Sequence, residues 1–399
     1  MGDRLKKAVH DAAHQMHDQL LAWRHHLHQH PELSFQEFET TRYIHNQLEQ
    51  SGFELQPVPT ETGAMIVLGE PDPNREALIL RADIDALPIQ EQNDTNYKSR
   101  REGVMHACGH DVHTTCMLGA AHILRTVQDQ WPGQIKIVFQ PAEEKSPGGA
   151  RPMIEGGILE RPKVSAAIGQ HVAPDIPAGQ IGFRSGLYMA STDEIHLTVH
   201  GRGGHAAMPD RLVDPVVIAA HLITQLQSLS SRQAPSTIPT VLSFGWVEAA
   251  GSNNVIPNEV RLSGTLRTFD ETWRAEAKRR IERMTRGLVE SMGGTVDLNI
   301  QEGYPALHND EKLTHQCRDW AREFVAPERI LDLDMRPTGE DFAYFGHHVP
   351  STFYRLGVQK SGDAMRNLHT PRFDIDESVL PLGAGLMAYL AMRYMQHAV

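Results

Sequence analysis

Residues 105–113 read Met-His-Ala-Cys-Gly-His-Asp-Val-His and carry the densest chemistry in the chain. Cys108 and His110 stand two positions apart. A helix would turn them to different faces, whereas an extended or looped backbone lets them converge on one point. A soft thiolate beside imidazoles, next to Gly109, is what a transition-metal ion needs. Further along, Gln140-Pro-Ala-Glu-Glu144 adds two adjacent carboxylates, Glu143 and Glu144. Neighbouring side chains of an extended segment diverge, so one can ligate while the other faces water. Spacing alone assigns neither role. Thiolate, imidazole and carboxylate together point to a metal-dependent hydrolase.

Taken singly, each piece has a structural reading. A histidine after a strand, such as His171, is commonly a surface loop residue, and paired glutamates are commonly a solvated turn. Cys108 by itself could be an apolar filler. The run Trp23-Arg-His-His-Leu-His-Gln-His30 spreads its histidines over several faces of an N-terminal helix and reads as structural. His113 reads as an orienting partner rather than a ligand. Gly201, Gly203 and Gly204 lead into His205, which alone would be an exposed residue of a glycine-rich turn. They do not form a dinucleotide fingerprint, because the third glycine and the opening βαβ unit are missing. Arg267, on a strand among apolar neighbours, suits bidentate capture of a free carboxylate or an ion pair within its own domain.

These residues need a scaffold, and 399 residues allow two or three domains. A net charge of −12 with no stripe of Lys or Arg argues against nucleic acid and anionic membranes as partners. No apolar run approaches the ~20 residues of a membrane span, and the polar N-terminus lacks the apolar core of a secretory signal. Three cysteines, Cys108, Cys116 and Cys317, follow no disulfide spacing, so a cytoplasmic location is expected.

Helices are expected around residues 20–27, 37–50 and 114–127, with strands at 64–68, 77–82, 134–139 and 164–169. That alternation indicates an α/β layered domain with a largely parallel sheet. Asp83 and Asp85, Glu143 and Glu144, and His171 all follow strands, and ligands bind beyond the carboxyl ends of strands in such sheets. His369 lies in a loop after the last strand, expected at 352–356. From 187 to 302 the order becomes βαββαβ, the split pattern of a ferredoxin-like domain. The chain is thus expected to hold a discontinuous domain, 1–186 and 303–399, with an inserted lid and dimerisation domain, 187–302.

Eight ordered segments resemble the metal-dependent amidohydrolases of the aminoacylase and carboxypeptidase G-like superfamily. They are Arg81-Ala-Asp-Ile-Asp-Ala-Leu-Pro88, Met105-His-Ala-Cys-Gly-His-Asp111, Gln140-Pro-Ala-Glu-Glu144, Gly203-Gly-His-Ala-Ala-Met-Pro209, Asn254-Val-Ile-Pro257, Gly264-Thr-Leu-Arg267, Gly339-Glu-Asp-Phe342 and His369. The nearest branch holds hippurate hydrolases, N-acyl-amino-acid amidohydrolases and auxin–amino-acid conjugate hydrolases. The resemblance implies an α/β/α zinc-peptidase-like catalytic domain and two divalent transition-metal ions (Zn, Mn, Ni or Co). It implies Cys108 as a bridge, with His110 and His171 on one ion and Glu144 and His369 on the other. Glu143 would be the general base, and Asp83 and Asp85 would orient the ligands by hydrogen bonds. His205 would stabilise the oxyanion, Asn254 would accompany it at the substrate, and Arg267 would hold a substrate carboxylate. The implied partners are a small N-acyl amino acid and a second copy of the chain. Three other readings stay open: a dipeptidase or aminobenzoyl-glutamate hydrolase on the same site, a thiol hydrolase using Cys108, and an inactive small-acid-binding protein.

Overall fold

The computed structural model describes residues 2–397, which divide into two units. The larger comprises the chain up to Gly186, His308–Asp334 and the chain from Asp341. Its eight-stranded sheet runs in the order Leu55–Gln56, Ala64–Leu68, Ile135–Gln140, Ala77–Asp83, Val164–Pro177, Ser351–Gln359, Ile181–Phe183 and Ile330–Asp332. The central neighbours, Ile135–Gln140 with Ala77–Asp83, Ala77–Asp83 with Val164–Pro177, and Val164–Pro177 with Ser351–Gln359, are parallel. Every residue of Ala77–Asp83 and Ile135–Gln140 is buried, as expected for strands covered on both faces.

Two helices form the heart of the core. His110–Thr126 is buried on all sides over its first twelve residues, and Leu380–His397 is apolar nearly throughout. Such helices need close neighbours rather than one packed face. Small residues permit this. A Cβ on Gly383 would stand 2.6 Å from Cys116 Sγ, and one on Gly119 would stand 2.8 Å from Ala384 Cβ. Leu20, Trp23, Ile44, Leu80, Ile137 and Phe324 complete the same core.

Two expected boundaries differ in ways that matter to the chemistry. The helix expected at 114 starts at His110, because Gly109 adopts a left-handed φ of 83° immediately before it. The strand expected to end at 169 continues to Pro177, so His171 lies within the strand rather than after it. Parallel pairing explains the extension, with Arg355 of Ser351–Gln359 standing opposite His171. The short strands Ile181–Phe183 and Ile330–Asp332 have too few residues to show a period.

The smaller unit comprises Leu187–Leu307 and Met335–Glu340. Its antiparallel sheet runs Thr240–Glu248, Glu259–Thr268, Asp193–His200, Thr295–Glu302, with helices Pro215–Ser228 and Glu271–Ser291. In chain order this is βαββαβ. Ile195, Leu197 and Val199 alternate with polar residues and pack against Ile218, Leu222, Trp273 and Ile281. Asp214 and Asp270 cap the two helices by accepting backbone N–H groups of the first turn. Among the described residues no helix is long and apolar enough to cross a membrane.

Candidate metal centre

Gly109 decides how Cys108 and His110 meet. Its left-handed backbone turns the chain between them, and a Cβ there would lie 2.5 Å from Val172 Cγ2. Only glycine fits both requirements. Cys108 Sγ thereby comes 3.4 Å from His171 Nε2. His171 donates Nδ1–H to the carbonyl of Val172 at 2.7 Å, which leaves Nε2 free of its proton and turned toward the thiol.

His110 is held in the same manner. Its Nδ1–H donates to Asp85 Oδ1 at 3.2 Å, while Nε2 is buried without a hydrogen-bond partner. That orphan nitrogen stands 3.8 Å from Glu144 Oε1, which is itself buried without a hydrogen bond in good geometry. His369, left-handed at φ 59° and exposed, brings Nε2 within 3.2 Å of the same oxygen. Donor atoms of Cys108, His110 and His171 all lie within 4.8 Å of one another, and so do those of Cys108, Glu144 and His369. Cys108 belongs to both groups.

The pair of divalent transition ions implied by the sequence fits these donors. Two buried polar atoms lack partners between the groups, and sulfur with imidazole selects Zn, Mn, Ni or Co over Mg or Ca. The charges agree. Burial, with Glu144 and Glu143, pushes the Cys108 thiol well above its ordinary value, so the thiolate needs nearby cations. Burial opposes a charge on His110, yet Asp83, Asp85 and Glu144 raise its pKa to about 10, so these carboxylates favour a positive charge at this position, which a cation replacing the Nε2 proton would supply. Burial and Arg355 push His171 well down, keeping a neutral imidazole for ligation.

A set of buried carboxylates supports the donors. Asp85 accepts from His110, from Ser34 Oγ at 2.7 Å, and from the backbone N–H of Glu143 at 3.0 Å and Glu144 at 2.9 Å. Asp83 accepts from Arg81 at 2.6 Å and from His113 Nδ1 at 2.5 Å. His113 Nε2 in turn accepts the N–H of Val172 at 2.9 Å. Both its nitrogens are occupied, so His113 orients its neighbours and offers no lone pair to an ion. Arg81 also donates to Gln140 and to Asp341, joining the Arg81–Pro88 segment to Asp341 of the Gly339–Phe342 segment. Sequence spacing did not indicate Ser34, Arg81 or Asp341 as supports, because their partners are remote along the chain.

Within the smaller unit, His205 pairs across a short ladder with Val255, next to Asn254. His205 and Asn254 are both exposed, and the Ala206 N–H donates to the Asn254 carbonyl at 3.0 Å. Arg267 is half-buried on Glu259–Thr268, where burial lowers its pKa against the opposing influence of Asp193 and Glu194.

The chain has extensive similarity to known proteins. It is 39% identical over 363 residues to the N-acetyl-L-cysteine deacetylase of Bacillus subtilis (strain 168), covering 91% of this chain and 85% of that protein. It is 41% identical over 293 residues to the N-acyl-L-amino acid amidohydrolase of Geobacillus stearothermophilus, covering 73% of this chain and 78% of that one. The crystal structure of Bacillus subtilis YXEP protein, described as a dinuclear metal binding peptidase from the M20 family, superposes with a TM-score of 0.81 at 33% identity, covering 96% and 99% of the two chains. Residues 79–393 match the model of Peptidase family M20/M25/M40. The chain therefore belongs to the M20/M25/M40 peptidase family and is a metal-dependent hydrolase.

Proposed function

We propose that this protein hydrolyses the amide bond of N-acyl amino acids, with Cys108, His110, His171, Glu144 and His369 holding two divalent cations. The observation that carries the reading is the sharing of Cys108 by two compact donor groups, with Glu143 grouped beside His110 and Glu144. When bound, the cations supply Lewis acidity toward water and toward the amide carbonyl. Glu143 takes the proton from the attacking water and returns it to the departing amine nitrogen. Asp85 and Asp83 keep His110 and His113 in one tautomer, so the donor atoms stay aimed.

The smaller unit acts as a lid and dimerisation domain. His205 and Asn254 donate to the carbonyl oxygen as negative charge develops there. Arg267 grips the free carboxylate of the substrate through two parallel hydrogen bonds. The strand Thr240–Glu248, at the edge of its sheet, exposes Val241, Trp246 and Val247, and helix Pro215–Ser228 exposes Val216 and Val217. An exposed apolar edge of this kind suits pairing with a second copy. The free Cys108, Cys116 and Cys317 suit a reducing, cytoplasmic setting.

The test is a panel of N-acetyl, N-benzoyl and dipeptide substrates assayed with metal-replete protein, together with Glu143→Gln. N-acyl amino acids should be cleaved in preference to dipeptides. Glu143→Gln should lose at least about 10²-fold in kcat while elemental analysis finds its metal unchanged. Full turnover by Glu143→Gln, or no cleavage of any acyl amino acid, would defeat the proposal.

A further inference from the structure

Three consecutive backbone N–H groups, those of Ala142, Glu143 and Glu144, are all captured by buried carboxylates. Asp85 takes the second and third, at 3.0 and 2.9 Å. The first goes to Glu37 Oε1 at 2.8 Å, 105 residues away along the chain. Glu37 stands at the N-cap of helix Phe38–Gln50 but makes no side-chain cap bond to it. Its carboxylate instead accepts from Ala142 N, Phe35 N and Thr62 Oγ1. A fully buried carboxylate with no capping role needs another reason to be there.

The backbone supplies one. Among the described residues, the non-glycine positions with left-handed φ are Phe35 at 65°, Ala142 at 55° and His369 at 59°. A Cβ disfavours that conformation, so it persists only where surrounding bonds enforce it. Glu37 Oε1 holds the N–H of two of the three, Phe35 and Ala142. The turn at Ala142 is the step at which the chain leaves strand Ile135–Gln140 and starts the two glutamates. Its conformation sets where the Glu143 carboxylate points. Ser34, three residues before Glu37, ties the same segment to Asp85.

We infer that Glu37 is a positioning residue, which holds Ala142 in its left-handed turn and so aims Glu143 at the attacking water. This rests on the proposed role of Glu143 as base. The Glu37 carboxylate is engaged with Phe35, Thr62 and Ala142, so it acts through the backbone rather than on the reacting atoms. Small displacements of a reacting group are costly, about 10²-fold for roughly 1 Å.

The test compares Glu37→Ala, Glu37→Gln and Glu37→Ala combined with Ala142→Gly, all metal-replete, on the best N-acyl amino acid of the panel. Glu37→Ala should lower kcat roughly 10–100-fold with elemental metal content unchanged. KM should stay within about twofold, because ground-state binding is untouched. Glu37→Gln keeps an acceptor oxygen and should retain most of kcat. Ala142→Gly, at ease with positive φ, should recover a substantial part of the loss in Glu37→Ala. Hydrogen exchange across 141–145 in the metal-free protein should quicken in Glu37→Ala and not in Glu37→Gln, a readout independent of turnover.

Wild-type kcat in Glu37→Ala, a loss matched by loss of metal, or no recovery on adding Ala142→Gly would overturn the inference. If Glu37→Ala does not fold, Glu37→Asp, which withdraws the oxygen by one methylene, gives the same comparison. Should Glu143→Gln remain active, the parent reading falls; should it be inert while Glu37→Ala is fully active, this inference alone falls.

Discussion

Asp85 shows how much one buried side chain can organise. With two oxygens it fixes the tautomer of His110, the hydroxyl of Ser34 and the backbone leading into both glutamates. Its charge also reaches Glu37. Burial, reinforced by Asp85, pushes the Glu37 carboxyl up from 4.5 to about 7. A raised folded-state pKa means that the folded chain binds more protons than the unfolded one across that interval. The stability linked to this proton is present in full below 4.5 and is lost as pH rises through about 7. Glu37→Gln cannot ionise and has no such dependence. Its thermal midpoint should therefore gain on that of the wild type between about pH 5 and about pH 8. Parallel midpoint curves over that range would contradict the assignment. At this scale the candidate donors were legible in the sequence as residue types, because Cys, His and Glu declare their chemistry, while the roles proposed for each came from the family resemblance. Ser34, Glu37 and Arg81 were not, since a hydroxyl, a glutamate and an arginine carry no signal until their distant acceptors or donors are known.

At the level of elements, the Trp23–His30 run finds its explanation in packing. Arg24, fully buried on helix His17–Gln29, donates to Asp111 at 3.1 Å, Asp374 at 2.9 Å and Glu377 at 2.8 Å. His28 joins it, donating Nδ1–H to Asp111 at 2.7 Å and lying 3.2 Å from Glu91. The helix thereby braces the start of His110–Thr126 and the segment that follows His369. The structural reading of this histidine-rich run agrees with that role for His28. Removing Arg24 would take the guanidinium from the buried Asp111, so Arg24→Ala should cost about 3–5 kcal/mol of stability. Denaturant unfolding measures it, and a loss below about 1 kcal/mol would place the network among the weakly coupled surface pairs. Helix and strand types were readable from periodicity. The boundaries at His110 and His171 were not, because Gly109 acts through a neighbour's side chain and Val164–Pro177 is prolonged by its pairing partner.

For the whole molecule, bound cations and folding are linked. Ions that bind only the folded chain stabilise it by mass action, about 2.7 kcal/mol at a hundredfold excess over Kd. Chelation should lower the thermal midpoint and abolish turnover together, and added Zn, Mn, Co or Ni should restore both. A midpoint indifferent to chelator would count against a metal centre made from these donors. Association has its own test. The pairing proposed through strand Thr240–Glu248 predicts a light-scattering mass of two chains, reduced to that of one by Trp246→Glu with Val247→Lys, at positions 48% and 51% exposed. A one-chain mass in the unsubstituted protein, or a mass that the substitutions leave unchanged, would defeat that pairing. The sequence by itself determined the α/β class, the ferredoxin-like order of the smaller unit and the kinds of atom available to a cation, because periodicity and side-chain chemistry are local properties. Only the tertiary structure decided how near the donor atoms around Cys108 come to one another, that His113 is spent on Asp83 and Val172, and that Glu37 reaches Ala142. Those outcomes depend on distances between segments up to hundreds of residues apart, and such distances exist only once the sheet has set its strand order.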